Sequence, residues 1–183
     1  VGLLATLREQ RRRQAAAEQY LAALLRPLEA DDVRWLQECA GLGREQVQRE
    51  LLFAQRAIGL IVAERDALDD QTAADVAHAI DATVAKESRA YQDPAAEWVD
   101  HWLEYHEALA IRGRAEPPMR RIARVLLRRV GVSEPGSPQL VRAVGIVTRH
   151  RHAANEALAA AFGVVDLPED RVPSDLYRER TGH

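Results

Sequence analysis

The residues with the most chemical potential cluster between Pro94 and Arg112. That stretch, PAAEWVDHWLEYHEALAIR, holds Trp98, Trp102 and Tyr105, three of the chain's nine aromatic residues, and two of its six histidines, His101 and His106. Residues three or four apart share a helix face. Trp98, Trp102, Tyr105 and Leu109 therefore fall on one line, widened by Val99, Leu103 and Ala110 into an apolar arc, with Glu97, Asp100, Glu104 and Glu107 opposite. His106 falls inside the arc; His101 falls near its polar edge, one turn from Glu97. Such a line of rings either fills a core or walls a pocket for an aromatic or amphipathic ligand.

Three more polar residues stand on apolar lines. Glu87 follows Val76, Ile80 and Val84, while Arg151 and Asn155 interrupt Leu140, Val144, Val147, Leu158 and Phe162. Buried polar groups need partners. Either they pair internally, for instance Glu87 with Arg151, or they converge with His106 on a cavity and orient a ligand against the rings. The expected ligand-binding set is Trp98, Trp102, Tyr105, His106, Glu87, Arg151 and Asn155.

Short catalytic motifs are missing: there is no Gly-rich phosphate loop, no nucleophile elbow and no HExxH. His101 and His106 are five residues apart and diverge around a helix, unlike an i, i+4 metal pair. Neither Glu97 nor Glu104 is followed three residues later by histidine, as a di-iron bundle requires. The one cysteine, Cys39, excludes an intrachain disulfide and any multi-cysteine metal site. No enzyme activity, cofactor or metal is expected.

The elements that must position these residues all read as helices. A helix over 1–26 ends at Pro27; its middle, REQRRRQ, would put Gln10 and Gln14 on a heptad seam. Further helices are predicted over Asp32–Cys39, Arg44–Leu68, Thr72–Tyr91, Pro94–Arg112, Met119–Val130 and Ser137–Phe162, punctuated by Gly, Pro and Asp. Residues 164–183 read as loop, short helix and tail. The fold class is all-α, a bundle or orthogonal array of six to seven helices with a long N-terminal helix. The domains expected are an N-terminal helix, 1–26, serving as a dimerisation arm, a helical ligand-sensing domain, 27–163, and the 164–183 tail. The 94–112 helix is expected at the centre.

Composition bounds the rest. The 183 residues are 47% hydrophobic, enough for one sizeable core. Net charge is −3, which gives no global pull toward nucleic acid or membrane. No apolar run reaches the roughly 20 residues that span a bilayer, and no signal peptide is visible, so a cytoplasmic protein is expected. Lys86 is the one lysine among 25 basic residues, which points to a GC-rich genome. The chain opens Val-Gly, either a GTG start written as valine or the continuation of an upstream segment. Arg120, Arg121, Arg124 and Arg128 make one basic helix face, an ordinary solvated surface or a patch for an anionic partner.

The Arg- and Gln-rich opening helix, LLATLREQRRRQAAAEQYLAALLRPL, followed by a helical, tryptophan-bearing region, resembles the part of a MerR-type transcriptional regulator that follows its DNA-binding domain. The resemblance implies a homodimer paired through the first helix and, as in some actinobacterial members, a drug-sensing helical domain. DNA contact would then come only through a winged helix-turn-helix outside this sequence. The function expected is a ligand-sensing regulatory domain for an apolar or aromatic small molecule. The alternative is a helical protein–protein interaction domain with a solid core and no ligand.

Overall fold

The computed structural model describes residues 3–67, 70–88, 94–110 and 116–163. Among these the chain is all-α, with seven helices: α1 Leu3–Leu24, α2 Ala30–Ala40, α3 Arg44–Asp66, α4 Asp70–Ser88, α5 Pro94–Ala110, α6 Pro118–Arg129 and α7 Ser137–Phe162. The starts and stops have local causes. Gly41 ends α2 at φ +66°, a left-handed turn that a side chain would resist. Gln46 and Gln139, each three residues into its helix, accept a hydrogen bond from the backbone N–H of Gly43 and Gly136, at 3.3 and 2.8 Å. Proline occupies the first turn of α6 and α7. No helix is long and apolar enough to cross a membrane among the described residues.

The fold is organised around α3, not around α5 as expected. Helix α3 packs against all six other helices. Every residue from Phe53 to Leu60 is buried, so this stretch is enclosed on all sides. Small residues permit it: Ala54, Ala57, Gly59 and Ala63 let neighbours approach closely. Helix α5 instead lies at one side, against α3, α4 and α6. The C-terminal half of α1 belongs to the same core, since Ala17, Tyr20, Leu21 and Leu24 are buried and the helix lies along α7 and α4. Its N-terminal half is more open, tied to α4 by Arg13, whose Nε donates to Asp75 at 2.9 Å. The 164–183 tail lies outside the described residues.

Helix α2 is held to α7 by polar contacts. Arg149 pairs with the buried Asp32, and Arg142 stacks its guanidinium over Trp35, 4.9 Å from the ring centre. Beside this contact, burial pushes His150 down to about 4; Asp32 opposes that shift and Arg149 adds to it. Its Nε2 is buried without a hydrogen-bond partner among the described residues. The folded state therefore holds the neutral ring, whereas the unfolded chain binds a proton near pH 6.5. Stability from this group is complete above the unfolded value and is lost as pH falls from there through about 4. His150→Gln should lose about 2–3 kcal/mol less than the parent between pH 7 and pH 4. Urea unfolding at the two pH values checks this, and equal losses would refute it.

Candidate functional site

On α5 the buried line is Trp98, His101, Tyr105 and Ala108, with Trp102 and Leu109 half-buried at its flank. This line is rotated from the expected arc. Val99 and Leu103 are exposed, and His106 is an exposed residue with half its side chain in solvent. His101 is the buried histidine, 2% exposed. The apolar Val99 and Leu103 pull a hydropathy-based face toward themselves, but the helix turns them out beside the Asp100–Arg129 ion pair, at 2.7 Å. Glu97 and Glu104 are half-buried rather than solvated.

Burial of His101 is possible because α3 supplies its partner. Its Nε2 lies 2.9 and 3.1 Å from the two carboxylate oxygens of Glu50, and its Nδ1 lies 2.7 Å from the Glu97 backbone carbonyl. The carbonyl can only accept, so Nδ1 carries a proton. Burial lowers the His101 pKa, but the hydrogen bonds to Glu50 and to the Glu97 carbonyl outweigh it, and the net shift is upward. Phe53 closes the ring's face, with centroids 4.3 Å apart. The Glu97 carboxylate completes the cluster: one ligand atom from each of Glu50, Glu97 and His101 lies within 4.8 Å of the others. Arg49 faces Glu97 from solvent at 3.5 Å.

The expected ligand-binding set divides. Trp98 is buried against Phe53, and its indole N–H donates to Asp81 at 3.3 Å. Tyr105 is fully buried, its hydroxyl pushed far up by burial and then by Glu50. Both residues are packed in the core. Trp102 bridges outward, 6.2 Å from Trp98 and 5.0 Å from His106 between ring centres. His106 and Arg151 do meet, in a cleft of about 500 Å³ between α3, α5, α6 and α7. Its walls are mostly apolar, with Ile58, Ile61, Leu109, Met119 and Ile122 prominent. Glu64 lies 3.9 Å from His106 at the rim, its pKa raised by burial and partly lowered again by His106. The buried Nε of Arg151 has no hydrogen-bond partner among the described residues. Asn155 is half-buried on α7, outside the cleft lining. The Glu87 side chain, and with it the Glu87–Arg151 pair, lies outside the described residues.

The basic face of α6 is partly neutralised. Arg120 and Arg124 share Glu116, at 3.1 and 2.9 Å, and Arg128 reaches Glu104 at 3.4 Å. Arg121 donates to the carbonyls of Ala108 and Glu116. Four arginines set against the carboxylates of Glu116 and Glu104 leave this face net positive, with Arg120, Arg124 and Arg128 about half-exposed.

Sequence reasoning missed Glu50 and His101, though a signal existed. Glu50 interrupts the line Val47, Leu51 and Ala54, and His101 lies three residues after Trp98 and four before Tyr105. Two opposite polar intruders on two apolar lines are what a cross-helix pair leaves in a sequence. Among known proteins, no protein-family model, no curated protein and no solved structure matches the chain.

Proposed function

We propose that the chain is a small-molecule-binding module, of the kind that serves as the sensing region of a transcriptional regulator, rather than an enzyme. The observation that carries this reading is the cleft where His106 and Arg151 converge. Its volume, about 500 Å³, lies within the range of ligand pockets, and apolar walls with a few placed polar groups are the usual construction. The unpartnered Nε of Arg151 calls for an acceptor. The ligand class that fits is an apolar or aromatic molecule carrying a carboxylate or similar acceptor group. The ligand would draw α3, α5, α6 and α7 together and shift the populations of two helix arrangements. Trp102, in contact with His106, would report occupancy by fluorescence.

Aromatic carboxylates and their neutral amides, titrated by calorimetry and by tryptophan emission, test the reading. The carboxylates should bind; Arg151→Leu should weaken them roughly 10- to 100-fold, the worth of a hydrogen bond to a charged group. Ile61→Phe, which fills the cleft, should abolish binding of either kind. If no compound binds, or if both variants bind like the parent, the cleft is not a site. The interaction-domain reading would then take over. Its support is the solid packing of Trp98 and Tyr105 and the open groove of about 1210 Å³ between α1 and α4, where a second copy's helix would lie.

A further inference from the structure

The cluster at the junction of α3 and α5 lies apart from the cleft and poses its own chemical question. His101 Nδ1 is committed as a donor to the Glu97 carbonyl. Its Nε2 then points at a carboxylate across 2.9 and 3.1 Å. A neutral imidazole would set its Nε2 lone pair against the lone pairs of Glu50, so a positive species must stand between them. One candidate is a proton. The other is a metal ion, and three features favour it.

First, there are two carboxylates, not one. Glu97 brings a second carboxylate oxygen within 4.8 Å of the Glu50 and His101 ligand atoms, so a proton on His101 leaves these three groups net negative, whereas a divalent ion neutralises them. Arg49, half-exposed and 3.5 Å away, is a weak counterion. Second, a ring N–H donating to a backbone carbonyl is the arrangement that orients a metal-binding histidine and presents the other nitrogen. The 2.9 and 3.1 Å between Nε2 and the Glu50 oxygens suit a hydrogen bond, and they also admit an ion, since donors on adjacent corners of an octahedron, at about 2.1 Å from the metal, stand about 3.0 Å apart. Third, Tyr105 sits one turn beyond His101 on the same buried face, 0% exposed, with a hydroxyl that has no hydrogen-bond partner among the described residues. It lies within electrostatic reach of Glu50. A buried hydroxyl without a partner is costly, and a water bound to the ion would supply one.

We infer that Glu50, Glu97 and His101 form a binding site for one divalent first-row transition ion, of the manganese, iron or zinc class. The imidazole argues against calcium and magnesium, which take oxygen donors. Three protein ligands leave coordination positions open, and a water held at one of them would be the partner of the Tyr105 hydroxyl. The ion enters from the Glu97 side, where the carboxylate is about a third exposed.

The full chain, stripped with chelator, is titrated separately with Mn2+, Zn2+ and Co2+, and bound metal is counted after gel filtration. The site predicts one equivalent, a rise in thermal midpoint, and visible Co2+ absorption bands. Glu97→Gln leaves the Glu50–His101 pair and the fold intact, yet should weaken binding about 100-fold or more; Tyr105→Phe, acting through a metal-bound water, should weaken it about 10-fold. His101→Gln should abolish binding if it folds. No bound metal in the parent overturns the proposal and leaves a protonated ion pair. Binding unchanged in Glu97→Gln overturns it too, by assigning the ion to other residues.

Discussion

His101→Ala should destabilise the fold by about 3–5 kcal/mol, and Glu50→Ala by less. Breaking a buried ion pair costs about that much because the surviving charge loses its counterion without regaining water. The two substitutions differ in what survives. Without His101, the carboxylate of Glu50, 8% exposed, is left buried without its partner. The ring that stacked on Phe53 at 4.3 Å is gone as well. Without Glu50, His101 can give up its proton and remain as a neutral ring, with one nitrogen still bound to the Glu97 carbonyl. The double replacement, Glu50→Leu with His101→Leu, removes both charges and restores apolar volume. It should recover most of the loss, since well-packed hydrophobic residues often equal or exceed a buried pair. Urea unfolding of metal-free protein across this cycle gives the coupling energy directly. If both single variants lose under about 1 kcal/mol, the pair does not stand in low dielectric as its burial implies. A domain holds only about 5–15 kcal/mol in all, so His101→Ala should remove a large share of the stability.

What the sequence made legible follows the physics of each signal. The all-α class and the course of α7, Ser137–Phe162, are readable because proline, glycine and capping residues act locally. The phase of α5 was not. Whether the arc extends from the Trp98, Trp102 and Tyr105 line toward Val99 and Leu103 or toward His101 and Ala108 depends on what stands opposite, and hydropathy scores a histidine with a buried partner as it scores a solvated one. Glu50, on another helix, settles the choice. The same limit divided the ligand-binding set: His106 and Arg151 share the cleft although nothing along the chain relates them, and Trp98 and Tyr105, nearer His106 in sequence, point into the core. The place of α3 at the centre was likewise hidden, because its enclosure rests on small residues that look unremarkable one by one.

Gly59 is the sharpest case of that kind, and replacing it should cost more than its size suggests. In mid-helix, glycine is about 1 kcal/mol worse than alanine, so Gly59→Ala in an isolated α3 would be stabilising. In the fold a Cβ at this position would lie 2.2 and 2.9 Å from the two methyl carbons of Leu24 and 3.1 Å from its Cγ. Leu24 is 2% exposed and packed within the core. The Tyr20 hydroxyl donates to the Gly59 carbonyl at 2.8 Å, fixing α1 at this distance from α3. Moving α1 outward to admit a methyl group would stretch that bond and open the packing around Tyr20, Leu21 and Leu24. Overpacking of this kind typically costs about 1–3 kcal/mol, and Gly59→Ala is expected at about 2 kcal/mol net, with Gly59→Val worse. Leu24→Ala alone should also destabilise, by leaving a cavity. The two together should be less damaging than their sum, because the new Cβ occupies space that the leucine vacates. A favourable coupling of about 1 kcal/mol or more in equilibrium unfolding would establish that α1 is packed as an integral layer of the core at Leu24. Strict additivity would mean that α1 rides on α3 loosely enough to move aside, and would return this helix to the role of a detachable arm.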